Sequence, residues 1–153
     1  MPLAQALGFV LLSKDAIKEA LFDACWGPPG DEAHSRHLSD AAMAVLFSLA
    51  SRCPRAVLDA NFKPGDAQQR DSLGTLAGTI VEVHCRCDPE EAMRRYAQRA
   101  GARHPAHALK RITLELIARH DKPMGVGTVI EVDTGVPVDF PALLQRVRAA
   151  LAR

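Results

Sequence analysis

Aromatic residues are scarce in this 153-residue chain, with one tryptophan, one tyrosine and five phenylalanines. That is too few, and too scattered, for a surface that stacks single-stranded bases. An excess of one charge sign is also lacking: 19 basic residues face 18 acidic ones, the formal net charge is +1 and the pI is near 7.8. Nucleic acid is therefore not the expected partner, and with 48% hydrophobic residues the chain is not intrinsically disordered. No apolar run approaches the ~20 residues that span a bilayer, so no membrane is expected. Cys25, Cys53, Cys85 and Cys87 are the only cysteines, and no secretory leader stands ahead of them. Reduced thiols and a cytoplasmic location follow as expectations. Repeats, low-complexity stretches and linkers are absent, and the length suits one domain over residues 1–153 without metal or disulfide staples.

What is present is alternation of short apolar runs with helical periodicity. Residues 1–8 read as the last turns of a helix stopped by Gly8. Residues 9–12 form a continuous apolar run, as in a strand covered on both faces. Ser13 caps a helix striped by Ile17, Leu21 and Phe22, ended by the segment Trp26-Gly27-Pro28-Pro29-Gly30. A second helix is expected over roughly residues 31–52 from the spacing of Ala42, Val45, Leu46 and Leu49. A second buried strand lies within residues 55–61, a helix over 66–76, and a third strand over 79–85. Asp88, Pro89 and Glu91 carry a helix start, and that helix runs towards Ala100. After a helical stretch around 112–118 comes a last strand at 128–132. Asp139 then caps a C-terminal helix striped by Phe140, Leu143, Leu144, Val147 and Leu151. The order implies an α/β fold, a parallel sheet with helices on both faces.

Ligands of open parallel sheets bind beyond the carboxyl ends of the strands, so three places are candidates: Ser13-Lys14-Asp15 with Lys18 after the first strand, Asp59 with Asn61 at the end of the second, and a basic segment following the helix after the third. Asp15 and Lys18, three apart at a helix start, place a carboxylate and an ammonium on one helix face. They suit proton removal from a hydroxyl and the holding of an anionic group, or an ordinary surface ion pair. Asp59 ends an otherwise apolar strand, where an unpaired acid is costly to bury. It can hold magnesium through water or cap a loop. Residues 92–114 contain no acid but carry Arg94, Arg95, Arg99, Arg103, Lys110 and Arg111, which reads as a mobile basic lid over about 94–111 or as a solvated helix face. Cys85 and Cys87, with His84, His104 and His107 downstream, make a weak zinc signal, because a single C-x-C lacks a second paired element. Trp26 packs or lines an acceptor pocket, with His34, Arg36 and His37 as further lining.

Taken in order, residues 11–22 (LLSKDAIKEALF), 57–62 (VLDANF), 83–89 (VHCRCDP) and 99–107 with its Arg103-His104-Pro105-Ala106-His107 resemble one group of proteins. It is the P-loop predicted kinases that include zeta toxins, chloramphenicol phosphotransferase and polynucleotide 5′-kinases. The resemblance implies a three-layer P-loop NTPase-like sheet and an ATP-dependent, magnesium-dependent transfer of phosphate to a small-molecule hydroxyl. It implies Asp15 as general base, Lys18 as an acceptor contact, Asp59 near magnesium and phosphate, and Arg99 and Arg103 on the γ-phosphate. Such kinases open with a strand and a G-x-x-x-x-G-K-[S/T] loop, and no segment here matches that motif.

The resemblance therefore implies a domain truncated at its N-terminus, lacking the first and central strand, with impaired activity. The alternatives are a non-catalytic remnant serving as a binding or dimerisation module, and a polynucleotide 5′-kinase-like enzyme. Losing a central strand would expose two sheet edges. An upstream segment, direct closure of the second strand onto the third, or a partner chain such as a second copy would cover them. Second and third strands standing well apart with nothing between them would count against all three.

Overall fold

The computed structural model describes residues 2–25, 32–107 and 112–153. A short helix α1 (Pro2–Leu7) leads into strand β1 (Val10–Ser13) and then helix α2 (Lys14–Cys25). Helix α3 (Glu32–Ala50), strand β2 (Ala56–Asp59) and helix α4 (Ala67–Gly74) follow. Strand β3 (Val81–Arg86), helix α5 (Pro89–Gln98) and a 3-10 turn (Ala100–Ala102) come next. A one-turn helix α6 (Leu114–Ala118), strand β4 (Thr128–Asp133) and helix α7 (Phe140–Leu151) complete the chain. Helices lie on both sides of the strands.

Local chemistry explains most of the boundaries. Gly8 has φ of +67°, a left-handed value that suits glycine and ends α1. Asp66 caps α4 by accepting from Gln69 N, Asp88 caps α5 by accepting from Glu90 N and Glu91 N, and Asp139 caps α7 by accepting from Ala142 N. The third strand starts two residues later than expected, at Val81, after Gly78 with φ of +99°. It reaches Arg86 because that residue's carbonyl accepts from both the amide and the hydroxyl of Thr134.

All the strand pairing is parallel, but it falls into two separate pairs. β1 runs with β2 in a register that sets Ser13 opposite Asp59, and β3 runs with β4, His84 opposite Glu131. β2 and β3 share no ladder, and among the described residues no strand stands between them. Direct closure of the second strand onto the third is thereby corrected. A closing ladder would need the two edges at hydrogen-bonding distance, ~4.8 Å apart. The two ends nevertheless remain in electrostatic reach, since the Asp59 carboxylate is felt at the Cys85 thiol.

Burial follows the same division. Leu3 of α1, Ile130 of β4 and Val147 and Ala150 of α7 form one apolar cluster, with Val81, Val83, Val132, Phe140, Leu143, Leu144 and Leu151 packed against it. The expected C-terminal stripe is therefore the inner face of α7. A second cluster joins Phe22 of α2, Leu38 of α3 and Ala106, with Leu21 beside them. The second cluster brings the segment after the 3-10 turn onto the α2–α3 hairpin, beside the ends of β1 and β2.

Candidate active site

Ser13 and Asp59 are register partners at the carboxyl ends of β1 and β2, and the Ser13 hydroxyl donates to Asp59 Oδ2 at 3.4 Å. The chain turns directly from β1 into α2, so the first helical side chains sit at the mouth of the strand pair. Lys14 is buried there, its Nζ donating to Asn61 Oδ1 at 3.1 Å and to Asp15 Oδ1 at 3.3 Å. The Asp15 side chain is 64% exposed and open to a ligand. One turn on, Lys18 is only 4% exposed, and its Nζ donates to Ser35 Oγ of α3 at 2.8 Å. Ser35 in turn donates to the carbonyl of Ala106, also at 2.8 Å. A chain of hydrogen bonds thus runs from α2 through α3 to the segment following the basic helix.

Electrostatics follow from that burial. Desolvation holds the Lys18 ammonium below the usual lysine range, the neighbouring Lys14 charge pushes it further down, and Asp15 opposes both. The Cys85 thiol, exposed as a residue, is pushed up by partial desolvation first and by the Asp59 charge second.

The basic segment meets α2 through histidines. His104 Nε2 lies 3.2 Å from Asp23 Oδ1, and the His104 ring packs edge-on against Phe22 with centroids 5.5 Å apart. His107 Nε2 lies 3.0 Å from Glu19 Oε1. The arginines behave differently. Arg94 and Arg95 both bind Glu91, whose carboxyl they hold down to about 2, with the Arg94 hydrogen bond the largest cause. Arg99 Nε donates to the Arg95 carbonyl, while Arg103 lies 3.2 Å over the centre of the Tyr96 ring and donates to the Tyr96 carbonyl.

Of the residues singled out from sequence, Asp15, Lys18 and Asp59 thus gather at one mouth, whereas Arg99 and Arg103, just past the end of α5, bond the carbonyls of Arg95 and Tyr96 within it. Trp26, Lys110 and Arg111 lie outside the described residues. No group of three or more His, Cys, Asp or Glu side chains among the described residues is arranged to hold a metal ion, so His84, Cys85, Cys87, His104 and His107 do not form a zinc site. Sequence reasoning placed Lys14 and Asn61 among the strand-end candidates without assigning either any chemistry, and it did not single out Ser35. The available signal was the position of Lys14 directly after an apolar strand, but its hydrogen-bond partner Asn61 lies 47 residues away.

The described helices include none long and apolar enough to cross a membrane. The chain is a parallel α/β scaffold with acids and lysines gathered at the ends of one strand pair, and its class follows from the solved structure it matches. Among solved structures the chain matches that of a "putative kinase" from Chloroflexus aurantiacus J-10-fl, with a TM-score of 0.82 and 30% identity over 97% of this chain and 88% of that one. At that identity and coverage the chain belongs to the same family as the Chloroflexus protein. No protein-family model matches it, and no curated protein does.

Proposed function

We infer that the chain is an ATP-dependent phosphotransferase of the P-loop kinase type, which moves the γ-phosphate to a hydroxyl of a small molecule, with activity impaired in this sequence because no segment matches G-x-x-x-x-G-K-[S/T]. The observation that carries this reading is the convergence of Asp15, Lys14, Lys18, Asp59 and Asn61 at the carboxyl ends of two paired parallel strands, where open α/β sheets receive ligands. Kinship with the Chloroflexus protein supports it.

In this reading the exposed Asp15 carboxylate accepts the proton of the substrate hydroxyl as that oxygen bonds to the γ-phosphorus. The bond from phosphorus to the β–γ bridging oxygen breaks, and ADP leaves with the electron pair. Lys18 holds the acceptor side of the pocket through its charge. Asp59 offers hard carboxylate oxygens, the donor type magnesium takes through water, and the ion would neutralise charge on the phosphates. Arg99 and Arg103 exchange the carbonyls of Arg95 and Tyr96 for the γ-phosphate as the flap closes.

The test is a titration of ATP-Mg against this chain, and against a version extended upstream in the same reading frame, followed by a turnover assay. Binding in either form supports the kinase reading. Asp15→Asn in the extended form should then lower phosphoryl transfer by at least a hundredfold while leaving nucleotide affinity within about threefold. Unchanged turnover would remove Asp15 from its role as base.

A second reading, a non-catalytic module that binds or dimerises, draws on two observations. Arg99 and Arg103 bond carbonyls of α5, and Val10, Leu11, Val45 and Leu49 expose apolar surface on β1 and α3. Absence of ATP-Mg binding in both forms, with a concentration-dependent dimer in sedimentation, would favour it.

A further inference from the structure

Lys14 and Lys18 occupy the same face of α2, one turn apart, and both are nine-tenths or more buried. Burying one ammonium is unfavourable, and burying two in mutual repulsion is more so, unless anionic groups surround them. Two carboxylates are near. Asp15 touches Lys14 but stands mainly in solvent, and Asp59 takes its hydrogen bond from Ser13. The remaining partners, the Asn61 amide and the Ser35 hydroxyl, are neutral.

An ammonium has three donors. Among the described residues Lys14 engages two of them and Lys18 one. The groups that cover Lys14, Asp15 and Asn61, are exposed themselves, so rotation of either side chain uncovers its Nζ. Ser35 fixes Lys18 behind Lys14, where its charge adds to the field without needing contact.

We propose that Lys14, backed by Lys18, forms an oxyanion subsite beside Asp15, and that the acceptor which presents its hydroxyl to Asp15 carries a phosphate or carboxylate group. This assignment of substrate class rests on the kinase reading. In the complex the oxyanion takes the free donor of Lys14 and Asn61 yields its place, while Asp15 turns towards the hydroxyl. A neutral polyol has nothing to offer the paired ammonium groups.

The probes are glycerol, glycerol 3-phosphate, inorganic phosphate and ATP-Mg, titrated into the full chain at constant ionic strength while backbone amide resonances are followed by NMR. Glycerol 3-phosphate and phosphate should shift the amides of residues 13–18 and 35, and glycerol should not. Lys14→Met, which keeps the aliphatic stem, should weaken glycerol 3-phosphate at least tenfold, as expected for a hydrogen bond between charged groups. Lys14→Arg should stay within about threefold of the parent chain, and it keeps the test open should Lys14→Met fold poorly. Arg52→Met, at the opposite end of β2, should change nothing.

Equal affinities for Lys14→Met and the parent chain would overturn the proposal, as would glycerol binding as well as its phosphate. If saturating ATP-Mg erases the phosphate-induced shifts at 13–18, the lysines serve the nucleotide and the acceptor assignment is wrong. Failure of the kinase reading looks different: phosphate shifts at 13–18 that depend on Lys14, with no ATP-Mg binding in the chain or its extended form, leave the subsite standing without that chemistry.

Discussion

Replacing Ser35 by alanine should destabilise the protein more than a single hydroxyl suggests. Ser35 is 9% exposed and holds two groups at 2.8 Å, the ammonium of Lys18 and the carbonyl of Ala106. Alanine fits the space but leaves a buried cation without its hydroxyl acceptor and a buried carbonyl without its donor. A hydrogen bond to a charged group contributes about 1.5–3 kcal/mol, and a neutral one about 1 kcal/mol. Ser35→Ala should therefore lose about 2–4 kcal/mol, and near 3 kcal/mol the melting temperature of a domain of this size falls by roughly 6–12 °C. The assay is urea unfolding followed by circular dichroism, repeated in a Lys18→Met background. There the cation is gone and only the Ala106 bond remains to be lost, so Ser35→Ala should have a penalty of about 1 kcal/mol, a coupling of about 1–3 kcal/mol between the two positions. A loss below about 0.5 kcal/mol, or the same loss in both backgrounds, would refute the relay from Lys18 to Ala106.

Gly127 has φ of +82°, and an added Cβ would overlap the Ile80 carbonyl oxygen, so Gly127→Ala should lose at least about 2 kcal/mol in the same unfolding assay, whereas Gly65→Ala, with open space around it, should lose far less. The Glu91 carboxyl sits at about 2 against an ordinary 4.5, a depressed acid, so its contribution is fully present above pH 4.5 and disappears as pH falls through about 2. Carboxyl resonances followed by NMR should place its titration there, and the stability difference between the parent chain and Glu91→Gln should shrink over that window. Lys18 is shifted the other way for a base: its folded form gives up a proton more readily than the unfolded chain, so burial penalises stability below the folded value and the penalty is relieved as pH rises towards 10.5. The parent chain should therefore gain on Lys18→Met over the alkaline range, and comparing the two cancels the opposite contribution of Cys85, whose raised thiol loses stability with rising pH.

The local grammar of this fold was open to reading because its signals act over a few residues. Asp88 followed by Pro89, Asp139 ahead of Phe140, and the stripe from Phe140 to Leu151 each declare a helix by short-range hydrogen bonding and periodicity. The placement of Asp15 and Asp59 at strand ends was equally accessible, since an acid after an apolar run has few other places to go. What was hidden depends on long-range partners. Ser35 and Ala106 are 71 residues apart, and His107 and Glu19 are 88 apart, and no periodicity marks any of them. The division of the strands into two pairs was hidden for the same reason, because an apolar run marks a strand without saying which neighbour it bonds, nor that it is covered on both faces, since Val10 and Leu11 of β1 stand exposed.

That division gives α1 a task out of proportion to its six residues. Leu3 inserts into the cluster of β3, β4 and α7, the Ala6 carbonyl is tied to Arg148 at 2.9 Å, and the backbone of the same helix runs straight into β1 through the Phe9-to-Ala4 bond at 3.0 Å. It acts as a rivet between two half-bodies whose strands share no ladder. Loosening the rivet would let the seam beside Asp59 widen while each half kept its own interior, so amide exchange in Leu3→Ala should quicken first along the facing edges of β2 and β3.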